Sequence, residues 1–175
     1  MFKNIKKQEE TTFEFDSSKI ISALVKEGKV NDTEIDRATC LKYLGFVCIE
    51  TGRFFEAEST FKDALRIYRS IPDIGIDQAT CTMGMGITYR ETGRFQEAEN
   101  AFEDALGLLH SIPGTELERA TCLANMSSHY RNRGQISKAR LCAEEALKVC
   151  NSFSPEATAH IRFICHQVLK GAGVA

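Results

Sequence analysis

Between Glu34 and Glu50 the apolar residues Leu41, Leu44 and Cys48 fall at i, i+3 and i+7, the spacing of one face of an α-helix. From about Phe54 to Ser70, a second stripe follows, made of Ala57, Phe61, Ala64 and Leu65. The same pair of patterns then returns. ETGRFFEAESTFKDAL runs from Glu50 to Leu65, and ETGRFQEAENAFEDAL runs from Glu91 to Leu106, 41 positions later. Residues 36–76 and 77–117 align without a gap and share 20 of 41 positions. A third copy, 118–158, is looser but keeps Ala120, Thr121, Cys122, Gly134, Ala139, Ala146 and Leu147 in register. A fixed period of this length predicts a solenoid of two-helix units, because each unit buries its apolar face only against its neighbours.

The punctuation agrees with that reading. Gly52, Gly93 and Gly134 close the first helices, where a left-handed residue is needed and glycine adopts it without strain. Proline in SIPD (70–73) and SIPG (111–114) stops the second helices. Thr115 and Glu118 spell a capping box for the first helix of the third copy. Gly45 and Gly86 fall in mid-helix, where glycine costs about 1 kcal/mol against alanine. A neighbouring helix packed on the bare backbone would account for that cost.

The ends extend the pattern. Moving the frame back by one period puts Phe13 on Phe54, Ile20 on Phe61, and Ala23-Leu24 on Ala64-Leu65. The expected organisation is a single domain over 1–175. It comprises an N-terminal segment 1–15 (frayed over 1–12), a partial leading repeat 16–35 whose helix spans 16–28, and repeats at 36–76, 77–117 and 118–154. A capping helix over 155–170 follows, with Ala157, Ile161, Ile164, Cys165 and Val168 on one face. Gly171 ends it and opens the tail GAGVA.

The unit resembles the tetratricopeptide repeat, in which a large apolar residue, Leu-Gly, an aromatic, then Gly, Ala, Phe and Ala stand at fixed offsets. The first copy has Leu41, Leu44-Gly45, Cys48, Gly52, Ala57, Phe61 and Ala64. The second has Thr82, Met85-Gly86, Tyr89, Gly93, Ala98, Phe102 and Ala105. The third has Leu123, Met126-Ser127, Tyr130, Gly134, Ala139, Ala143 and Ala146. Cys48, Thr82, Ser127 and Ala143 depart from the pattern. The extra length, about seven residues per unit, is similar to the lengthened repeats of kinesin light chains. The resemblance covers about residues 33–154 and implies an all-α, right-handed solenoid of helix-turn-helix repeats.

It also implies a concave groove lined by the first helices. The groove positions would be Thr39, Lys42, Tyr43, Phe46, Ile49 and Glu50 in the first copy. They would be Thr80, Met83, Gly84, Ile87, Arg90 and Glu91 in the second, and Thr121, Ala124, Asn125, Ser128, Arg131 and Asn132 in the third. Tyr43, Phe46, Ile49, Met83 and Ile87 are unusual for a purely solvated face. A bound peptide segment would use them, with Arg90 and Arg131 meeting an acidic group. The chain's own Phe2, Phe13 or Phe15 is the rival occupant. The carboxylate clamp of chaperone-binding members is not matched: Lys42 and Asn125 fit, but Phe46, Gly84 and Thr121 stand at other clamp positions.

Composition narrows the function classes. The 175 residues are 43% hydrophobic and 26% charged with a net charge of −2, so no global field recruits nucleic acid or anionic lipid. No apolar run approaches the ~18 residues of a membrane span, and MFKNIKKQEETTFEF lacks the features of a signal peptide. A cytoplasmic location is the natural expectation. Cys40, Cys81 and Cys122 recur within ATC as small buried hydrophobes, while Cys48, Cys142, Cys150 and Cys165 are scattered. His160 and His166 lie about 240° apart around a helix and cannot share a metal on one face. GMGITYRETG (84–93) lies inside a helix, which excludes a phosphate-binding loop. Glu50 with Glu56, and Glu91 with Glu97, flank Arg53 and Arg94 and read as solvated ion pairs. The expectation is an adaptor or scaffold that binds a protein or peptide, with no enzyme activity and no cofactor. The alternative is a subunit that self-associates through exposed terminal helices into a homo-oligomer.

Thiol titration in denaturant is expected to find all seven cysteines free, and metal analysis to find no stoichiometric zinc. One protected pair, or one equivalent of zinc, would reverse the inference of a reducing compartment.

Overall fold

The computed structural model describes residues 17–27 and 33–171. Phe2, Phe13, Phe15 and the tail after Gly171 lie outside them. The described residues form eight α-helices: α1 (Ser17–Lys26), α2 (Glu34–Glu50), α3 (Phe54–Tyr68), α4 (Gly75–Glu91), α5 (Phe95–His110), α6 (Glu116–Asn132), α7 (Ile136–Cys150) and α8 (Pro155–Gly171). The helices α2/α3, α4/α5 and α6/α7 are hairpins, each stacked on the next, and α8 packs on both α6 and α7.

Each hairpin turn is made in the same way. Gly52, Gly93 and Gly134 have φ of +72°, +77° and +70°. That conformation lets the following N–H reach back into the last helical turn. Arg53 N–H donates to the Cys48 carbonyl at 2.8 Å, Arg94 to Tyr89 at 2.8 Å, and Gln135 to Tyr130 at 2.9 Å. The start of α2 is capped by Thr33, which accepts from Asp36 N–H at 3.2 Å and donates to the Asp36 carboxylate. The capping box expected at Thr115 and Glu118 is not formed. Thr115 is buried, and its hydroxyl donates backward to the carbonyls of Leu109 (2.7 Å) and Ile112 (2.9 Å). It ties the preceding loop to α5, and the hydroxyl oxygen accepts no N–H from the first turn of α6.

Packing explains the mid-helix glycines. Phe61 is fully buried, and its ring lies so close to two helices that a Cβ at Gly45 would sit 2.7 Å from it, and one at Gly84 only 2.5 Å. Phe102 repeats the contact against Gly86 (2.8 Å). In the third copy the two departures compensate each other. Ala143 replaces the phenylalanine and Ser127 the glycine, and both are fully buried.

Two expectations about coverage need correction. Cys81 and Cys122 are fully buried, but Cys40 is only half-buried, because α1 covers α2 less completely than α3 covers α4. On α8, Ala157 is exposed and Thr158 takes the inward position, with Ile161, Cys165 and Val168. The Thr158 hydroxyl is satisfied by the Ser154 carbonyl at 3.1 Å.

His129 is an unusual core residue. It is fully buried, neither ring nitrogen has a hydrogen-bond partner, and Tyr130, Phe102 and Phe95 surround it at centroid distances of 5.4, 5.9 and 6.1 Å. Burial holds its pKa below 6.5. Glu99 acts in the opposite sense, whereas Arg133, Arg90 and Lys138 reinforce the shift.

Two predictions follow from this packing. Gly84→Ala is expected to destabilise the fold despite gaining about 1 kcal/mol of helix propensity, because overpacking Phe61 costs about 1–3 kcal/mol. Gly107→Ala meets nothing within 4 Å and is expected to stabilise by about 0.5–1 kcal/mol. Urea melts that rank the two variants the other way would refute the close packing of Phe61 on Gly84.

The second concerns His129. Its folded pKa is depressed below 6.5, so the stability it contributes is present above that value and is lost as pH falls through the folded pKa. The loss is at most about 1.4 kcal/mol per pH unit. Glu99 titrates lower: burial acts to raise its pKa, but bonds from Tyr130 and Lys138 outweigh this and leave it below 4.5. Urea melts at about pH 7.5 and 5.5 should therefore show a larger loss in the native protein than in His129→Phe. Equal losses would remove His129 as the cause.

Candidate functional site: a cleft on the first-helix side

The first helices line a cleft of about 410 Å³. From α2 it takes Phe46, Ile49 and Glu50, and from α4 Met83, Ile87, Arg90 and Glu91. From α6 it takes Thr121, Asn125 and Ser128. These ten residues all belong to the set marked in the sequence. The structure adds Phe54 at the start of α3, and His160 and Ile164 of α8.

The helix α8 thus does more than cover the third repeat. It takes the place of a first helix in a fourth unit, with His160 and Ile164 continuing the line of Thr121 and Asn125. The sequence period hid this, because the loop before α8 is shorter than the earlier ones. Residues 151–154 connect α7 to α8, whereas 69–74 and 111–115 make the two equivalent connections. At a spacing two residues shorter, α6 and α8 share only Ala120 and Ala159, so the sequence carries little signal of the match.

The other expected groove residues are held elsewhere. Thr39 is hydrogen-bonded to the Tyr68 hydroxyl at 3.1 Å. Lys42 is buried in an ion pair with Asp77 at 2.5 Å, which links α2 to α4. Tyr43 is 61% exposed, with the Lys42 ammonium 4.7 Å from its ring centroid. Thr80 borders a smaller hollow of about 190 Å³ with Met83, Leu109 and Thr121. Arg131 donates to the Gln167 carbonyl of α8 at 3.1 Å, and Asn132 faces solvent.

The electrostatics differ from the expected pair of open arginines. Arg90 is engaged by Glu91 at 2.8 Å and reaches the Asn125 carbonyl at 3.4 Å. Asn125 in turn donates to the Thr121 carbonyl at 3.0 Å. Glu50 is exposed and has no partner among the described residues. The cleft therefore presents an apolar floor of Phe46, Ile49, Met83, Ile87 and Ile164 with an unpaired carboxylate at its edge. Among the described residues, no group of three or more His, Cys, Asp or Glu is placed to hold a metal. No helix there is long and apolar enough to cross a membrane.

Ion pairs also join successive repeats. Arg94 reaches back to Glu58 at 2.7 Å, lies 4.2 Å from the Tyr89 ring centroid, and is paired with Glu97. One repeat on, Glu99 accepts from the Tyr130 hydroxyl at 3.0 Å, Arg133 at 2.9 Å and Lys138 at 3.4 Å. Arg53 lies 3.5 Å from Glu56, in the geometry of a solvated ion pair.

The tetratricopeptide repeat profile matches residues 36–111 and, in a second overlapping span, 78–152. The chain belongs to the tetratricopeptide repeat family. Its departures from the family pattern leave every hairpin intact. The crystal structure of BtubC (BKLC) from P. vanneervenii is similar, with a TM-score of 0.68 and 18% sequence identity over 90% of this chain. The match spans 65% of that longer protein, and at this identity it speaks for the fold alone. No curated protein matches the chain.

Proposed function

We propose that this tetratricopeptide repeat protein is an adaptor that holds a short segment of another protein in the cleft between α2, α4, α6 and α8. The observation that carries the reading is the apolar floor made by Phe46, Ile49, Met83 and Ile87, rimmed by polar groups. First helices of adjacent repeats lie roughly 10 Å apart. Four of them make a trough of about 30 Å, enough for eight or nine residues of extended chain at about 3.3 Å each. The occupant would place apolar anchors on the floor and a cation at Glu50. Its backbone would meet Asn125 and Ser128.

A second reading rests on a different observation. Tyr43 and Val47 of α2 are 61% and 55% exposed, whereas the equivalent positions of later repeats are packed under the preceding hairpin. That uncovered stacking face suits self-association. Light scattering of the purified chain separates the two: a monomer that captures peptides supports the adaptor, and a dimer lost in Val47→Lys supports the subunit.

A random nine-residue peptide library displayed on phage tests the cleft directly. Selected peptides are expected to lose affinity at least tenfold on Ile49→Ser with Ile87→Ser, and to bind Leu141→Ser as they bind the parent. Leu141 is 66% exposed on α7, away from the cleft. Peptides that ignore the double change while depending on Leu141 would move the binding face to the second helices.

A further inference from the structure

A larger concavity, about 770 Å³, lies on the other side of the solenoid between α3 and α5, with α4 as its floor. The sequence explains why it opens at this repeat. The large apolar position held by Leu41 in the first copy and Leu123 in the third is Thr82 in the second. Its hydroxyl turns back to the Gln78 carbonyl at 2.8 Å. On α5, Ala101 and Gly107 stand where the third copy has Cys142 and Lys148. Nothing lies within 4 Å of a Cβ built at Gly107. Small residues on floor and wall leave the furrow empty, and Leu65, Met85 and Leu108 give it an apolar lining.

The charges on its walls are lopsided. Glu103 and Asp104 of α5 are exposed and have no ion-pair or hydrogen-bond partner among the described residues. Glu97 is already held by Arg94. Arg69, on the α3 wall, is the one cation of the lining. Along α5 and its C-cap the furrow is bordered from Glu97 through Asp104 to Ser111, about 21 Å at 1.5 Å per residue. That length matches about four turns of a helix lying between two helices.

We propose that this furrow is a second docking surface, which takes one helix of a partner protein. The partner helix is apolar along one face and carries lysine or arginine beside it. The apolar ridge fills the space left by Thr82, Ala101 and Gly107. The cations meet Glu103 and Asp104, and an acidic residue at the far edge suits Arg69. The surface is independent of the cleft between the first helices, and its occupant is opposite in charge to the α5 wall.

The test uses the full chain and a fluorescent fifteen-residue helical peptide. Its leucines stand at i, i+4, i+7 and i+11, with lysines on both flanks. The control peptide carries glutamates in place of the lysines. Anisotropy at low salt is expected to show binding of the lysine peptide and none of the glutamate peptide. Affinity should fall at least tenfold in Thr82→Leu, which fills the furrow, and in the surface change Glu103→Lys with Asp104→Lys. Thr82→Leu should melt no lower than the parent; if it does, the surface change carries the same test. Ile49→Ser with Ile87→Ser should bind the probe unchanged, so failure of the peptide cleft does not touch this result. Absence of lysine-peptide binding, equal binding of the glutamate peptide, or full affinity in both furrow variants overturns the proposal. A chain that dimerises alone and becomes monomeric in Thr82→Leu also overturns it, since a second copy then fills the furrow.

Discussion

The contact between a phenylalanine ring and bare helix backbone holds the first two repeats of this solenoid together. Phe61 sits against Gly45 of its own hairpin and Gly84 of the next, so one ring sets both the spacing within a repeat and the spacing between repeats. A methyl group on either glycine would push the helices apart, and close-packed interiors transmit such strain. The helix-propensity cost of glycine is repaid in ring burial, because a fully buried phenylalanine contributes about 1.5–3 kcal/mol. Where the third copy loses the ring it also loses the glycine. Ala143 and Ser127 bring two small surfaces together, and the hairpin keeps its shape.

Polar links of unequal weight also join the repeats outside that core. Lys42 and Asp77 join α2 to α4 in a partly shielded pair, where attraction is stronger than at a solvated surface. Arg94 joins the first two repeats through Glu58, and Glu99 gathers three donors from the third repeat. These links join each hairpin to the next at separate points.

The concave features of the surface arise where the repeat departs from itself. The cleft takes α8 as its fourth wall because the last connection is short. The furrow opens because Thr82 replaces a leucine on the floor and glycine thins the α5 wall. His129 shows the same principle inside the core. The equivalent positions are Val47 and Thr88, and only the third copy places an ionisable ring among Phe95, Phe102 and Tyr130.

The sequence by itself determined the number of hairpins, their boundaries to within a residue or two, the turn glycines and most of the cleft. These follow from local rules: a period of 41, helical spacing of apolar residues, and the special backbone of Gly52, Gly93 and Gly134. Tertiary structure alone decided what depends on relations across repeats. Thr115 has the right spacing for a cap, yet its hydroxyl is claimed by Leu109, which only the fold brings near. Arg90 and Arg131 look like open cations in sequence, yet both donate to the chain itself. His160 and Ile164 fall out of register by two residues, and only the packing of α8 against α6 returns them to the cleft. Periodicity records which residues repeat, and packing in space decides which polar groups are left for a partner.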